Sequence, residues 1–86
     1  MRVNVAKLIM DLAEYVRKII SDMGIEVKSV EISSYNDYVE EIPCLEVRVS
    51  VDSAGNLMKL WDVVIGAVAK RYGEDILRKI NISLMR

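Results

Sequence analysis

Eighty-six residues make one domain's worth of chain, 52% hydrophobic, with 12 basic and 13 acidic groups and a net charge of −1. The near balance of charge excludes a strongly basic, general nucleic-acid binder. The absence of histidine and the single cysteine, Cys44, exclude an intrachain disulfide, the common zinc ligand sets and Ser–His–Asp or Cys–His catalysis within one chain.

The first element in chain order is a helix. Val5, Ile9, Leu12, Val16, Ile19 and Met23 alternate spacings of four and three, and Leu8 and Ile20 widen the stripe. Asn4 is placed to cap its start and Gly24 to end it. A strand is predicted from about Ile25 to Ser34, with apolar residues at Ile25, Val27, Val30 and Ile32. Its alternation slips by one residue near Lys28–Ser29, which predicts a bulge. Residues 35–43 form a polar connection short enough for an antiparallel hairpin. The second strand starts at Pro43, a position where no ladder donor is missed. Leu45, Val47, Val49 and Val51 face one side of it; Cys44, Glu46, Arg48 and Ser50 face the other, polar side.

The second helix is predicted from Ser53 or Asn56 to Tyr72, ended by Gly73. Its main stripe is Leu57, Leu60, Trp61, Val64 and Val68. Met58, Ile65 and Tyr72 form a second stripe at seven-residue spacing, and Val63 lies outside both. The helix is therefore apolar over more than the ~100° needed to cover one sheet. A third strand is predicted from about Ile76, with Ile80, Ile82 and Leu84 facing in and Lys79, Asn81, Ser83 and Met85 facing out.

A helix between the second and third strands makes a crossover to a parallel strand. The expected fold is an α+β two-layer sandwich over residues 1–86: an αββαβ order, a three-stranded mixed sheet and two helices on one face. The alternative reads Arg2–Val5 as a short N-terminal strand, giving a ferredoxin-like βαββαβ fold. The αββαβ order is similar to that of the cytoplasmic domain of cation diffusion facilitators, a dimerising metal-sensing module. The metal-binding histidines of that family have no counterpart here, so the similarity implies no site in this chain.

The first apolar stretch is broken by Asp11 and Glu14, short of the ~20 apolar residues of a membrane span. With one cysteine, the expected location is the reducing cytoplasm. The chain has no Gln and no Thr, and it is rich in Ile, Val, Glu, Lys and Arg, a composition that leans towards a thermophilic protein.

Three features bear on function. The connection Tyr35, Asn36, Asp37, Tyr38, Val39, Glu40, Glu41 carries three carboxylates, which makes Asp37, Glu40 and Glu41 candidate ligands for a hard cation; no EF-hand spacing is present. Residues 59–86 hold six basic and three acidic groups, against six and ten in residues 1–58. Lys70, Arg71, Arg78, Lys79 and Arg86 are thus a candidate basic patch for nucleic acid. The third feature is surplus apolar surface: Met58, Val63, Ile65, Tyr72, Leu77 and Met85 are candidate contacts of an interface. A domain this small buries only about 60–65% of its unfolded surface, so association is a natural source of extra stability. The opposed charge of the two halves favours pairing of acidic with basic surfaces. The leading expectation is a non-enzymatic, self-associating module, a homodimer or other homo-oligomer without a cofactor. A nucleic-acid-binding accessory protein and a metal-dependent enzyme are the alternatives.

Overall fold

A computed structural model describes the backbone of residues 3–36 and 41–86, and the side chains of residues 7–33 and 43–86. The 3.6-residue period of the N-terminal segment forms α1, Val3–Asp22. Ile9, Leu12, Ala13, Val16 and Ile20 line its buried side. Because the helix includes Val3 to Val5, Asn4 lies inside its first turn and does not cap it. The ferredoxin-like alternative loses Val3–Val5 of its first strand for the same reason. Gly24 ends the helix as expected. At φ 79° it takes a backbone conformation that favours glycine. Its N–H bonds to Ser21 O at 2.9 Å and that of Ile25 to Ile20 O at 3.2 Å, the paired bonds of a Schellman motif.

β1, Val27–Asn36, and β2, Glu41–Val49, pair antiparallel. Their register shifts between Val27 and Ser29, where the apolar alternation slips in the sequence. The bulge keeps Val27, Val30 and Ile32 on one face of the sheet despite their uneven spacing. α2 follows, Ala54–Tyr72, then a single helical turn, α3, Ile76–Lys79, and β3, Asn81–Met85. β3 lies parallel to β2, and the strand order is β1-β2-β3. The chain is thus of the α+β class, with three helices and a three-stranded mixed, open sheet among the described residues.

The start of the last strand differs from expectation. Ile76–Lys79 closes a turn of helix in which Ile80 N–H bonds to Ile76 O at 2.9 Å. Ile76 and Ile80 are both buried. A spacing of four satisfies a helical turn and a strand face equally, so apolar period alone does not separate the two.

The register sets Ile32 beside Leu45 and Ile82, and Val30 beside Val47 and Leu84. On this face Leu45, Val47, Val49 and Ile82 join Ile9, Leu12, Val16 and Ile20 of α1 and Leu60, Val64 and Val68 of α2 in one core. α1 packs on β1 and β2, and α2 on β3. The opposite face carries Ser33, Cys44 and Asn81 in one row, Glu31, Glu46 and Ser83 in the next, and Ser29, Arg48 and Met85 in the third.

Candidate association surface

α2 is defined by local chemistry at both ends. Ser53, in extended conformation, caps it: the Ser53 hydroxyl accepts from Asn56 N–H at 3.1 Å, and its carbonyl accepts from Leu57 N–H at 3.1 Å. The Asn56 side-chain amide donates to Asp52 Oδ1 at 2.6 Å, bracing the entry loop. Gly73, at φ 90° and ψ 157°, stops the helix, with its N–H on Ala69 O at 2.9 Å.

Between these ends the 19-residue helix presents more apolar surface than its own fold covers. Leu60, Val64 and Val68 are buried. Met58 is 70% exposed, Val63 47% and Trp61 41%. Met58 and Trp61 stand three residues apart and Ile65 four beyond Trp61, so these three form one stripe along the helix. The sequence spacing puts Trp61 in the main stripe of the helix, with the buried Leu60, Val64 and Val68. Its ring is too large to be covered at the margin of that stripe, where Leu57 is half-buried.

The remaining interface candidates do not join this stripe as exposed groups. Ile65, Tyr72 and Leu77 are half-buried and pack against the core. Met85 lies on the other face of the sheet, in register with Arg48. Val63 points to a different side of α2. With Met23, Ile25, Val51 and Leu60 it lines an open cleft of about 540 Å³ whose polar lining is Ser50, Asp52, Asn56 and Lys59.

Tyr72 belongs to a cluster that ties α1 to α2. Its hydroxyl donates to Asp11 Oδ2. Its ring meets that of Tyr15 edge-on, with centroids 5.8 Å apart. The Arg71 guanidinium lies 4.5 Å from the Tyr15 centroid and 5.5 Å from that of Tyr72. Burial first, then the Asp11 carboxylate, raises the Tyr72 phenol above its usual pKa of 10.0, and Arg71 opposes this.

The basic candidates have local roles. Lys70 and Arg71 end α2, and Arg78 and Lys79 end α3, where cations complement the helix dipole. Arg78 also meets Asp75 at 3.9 Å on the exposed surface. Arg86 is exposed at the end of the chain.

Of the acidic candidates, Asp37 and Glu40 lie outside the described residues, and so does the side chain of Glu41. Among the described residues no three acidic or thiol side chains converge on a common point. Cys44, on the polar side of β2, is buried. The Asn81 side-chain amide donates to its sulfur at 3.9 Å. Among the described residues no helix is long and apolar enough to cross a membrane.

In comparisons with known proteins, no family model, no curated protein and no solved structure matches this chain.

Proposed function

We propose that this chain is a single-domain, two-layer αββαβ interaction module that has no catalytic role and associates with a second copy of itself through the outer stripe of α2. The observation that supports this is the exposure of Met58 and Trp61 as neighbours on one helix whose Leu60, Val64 and Val68 already fill the core. Tryptophan and methionine are enriched at interfaces, and tryptophan is among the commonest energetic anchors there. The size of the domain supports the same reading, since its small core gains from a second buried surface.

The direct test is Met58→Asp. Met58 is 70% exposed, so a carboxylate there stays in solvent and leaves the fold intact. The solution mass falls, by light scattering, while the far-UV circular dichroism is unchanged. An assembly of unchanged mass would overturn the α2 contact. Ile65→Asp is a poorer test, because Ile65 packs against the core and its substitution unfolds as well as dissociates.

A further inference from the structure

We propose that the outer edge of β1 pairs antiparallel with β1 of a second copy, centred on Ile32, joining two sheets into one continuous sheet. This surface is separate from the outer stripe of α2.

β2 is paired on both sides, whereas β1 pairs only with β2 among the described residues. Its other edge therefore presents a row of main-chain donors and acceptors. Natural edge strands blunt such a row with short length, charge, proline or a bulge. β3, at the opposite edge, is five residues long and is followed by Arg86. β1 is ten residues long, and its irregularity is confined to Val27/Ser29. From Ser29 to Asn36 it runs in regular register, without proline, and Glu31 is its one charged residue.

Two further observations point to a missing neighbour. Ile32 is 44% exposed although it sits in the same row as buried Leu45 and Ile82, so the helices stop short of this edge. Beyond Cys44 the ladder is two-stranded: Ser34↔Pro43, Tyr35↔Ile42 and Asn36↔Glu41 have no β3 partner. A two-stranded ribbon is marginal in water by itself.

The register identifies the occupant as a second copy. Antiparallel pairing about a two-fold axis sets residues of the same face opposite one another. A centre on Glu31 opposes two carboxylates, which is destabilising. A centre near Val30 runs the bulge into the pairing, and a centre on Ser33 sets Ile32 against a serine. A centre on Ile32 sets the two isoleucines together and Glu31 against Ser33. The segment thus matches itself in apolar contact and keeps the two carboxylates from facing each other directly.

The test is disulfide trapping, with Cys44 kept in place in every variant. In the proposed register the two copies of residue 32 lie directly opposite, with Cα atoms about 4.5–5.5 Å apart, within reach of a disulfide. The two copies of residue 28 lie roughly 25 Å apart along the strands, out of reach. Ile32→Cys and Lys28→Cys both alter exposed positions. Under mild oxidation Ile32→Cys runs predominantly as a covalent dimer and Lys28→Cys as a monomer. Equal cross-linking of the two, no cross-linking of Ile32→Cys, or cross-linking of Lys28→Cys alone would each overturn the proposal.

Discussion

Tyr72 carries the clearest pH dependence among the described side chains. Its phenol is held protonated in the folded state by burial and by the Asp11 carboxylate, so its folded pKa lies above the unfolded value. The stability this contributes is fully present below pH 10 and is lost as pH rises through the folded pKa. Urea titrations at neutral pH and above pH 10 should show that loss, and Tyr72→Phe should remove the tyrosine's share of it. At neutral pH the same variant costs about 0.5 kcal/mol, the low end for a hydrogen bond, because the pair is exposed to solvent. At Trp61 the energy at stake belongs to association. Trp61→Ala should weaken the assembly by about 2 kcal/mol, roughly thirtyfold in Kd, measured by dilution in analytical ultracentrifugation.

At the scale of the element, two glycines in and just after α2 predict opposite outcomes. Gly66 lies inside α2 with open space where a Cβ would stand, so Gly66→Ala should stabilise by about 0.8–1 kcal/mol. Gly73 ends the same helix at φ 90° and ψ 157°, a region nearly closed to other residues, so Gly73→Ala should destabilise by about 1–3 kcal/mol. Thermal or urea melts of the two variants check the sign directly. Gly73 was readable as a stop because it follows the last apolar residue of a clean helical period, and Gly24 likewise. The bulge at Val27/Ser29 was readable because one extra residue must break a period of two. α3 was not, because Ile76 and Ile80 fit two periods at once. Part of the candidate surface was legible too: Met58 stood outside the main stripe of α2 and is the most exposed of its large apolar residues. Trp61 and Ile32 were missed for one reason. Each borders buried residues, Trp61 next to Leu60 and Val64 and Ile32 in the row of Leu45 and Ile82, and periodicity tells which way a residue faces but not how far the covering layer reaches.

For the whole molecule, the proposed contacts lie at opposite margins. α2 packs on β3 at one edge of the sheet, and β1 forms the other edge. Two isologous contacts on one chain build assemblies larger than a dimer, either a closed tetramer or an open array. The two are separable by variant: Met58→Asp acts on the helix stripe, and Ile32→Cys reports on the strand edge. The claim on which the account stands is self-association through α2, and the measurement that tests it most directly is the solution mass of the unmodified chain beside that of Met58→Asp. The account predicts a mass well above the 9.8 kDa of one chain, falling on substitution with no change in secondary structure. A mass of one chain for the unmodified protein, or an assembly that Met58→Asp leaves intact, would contradict it.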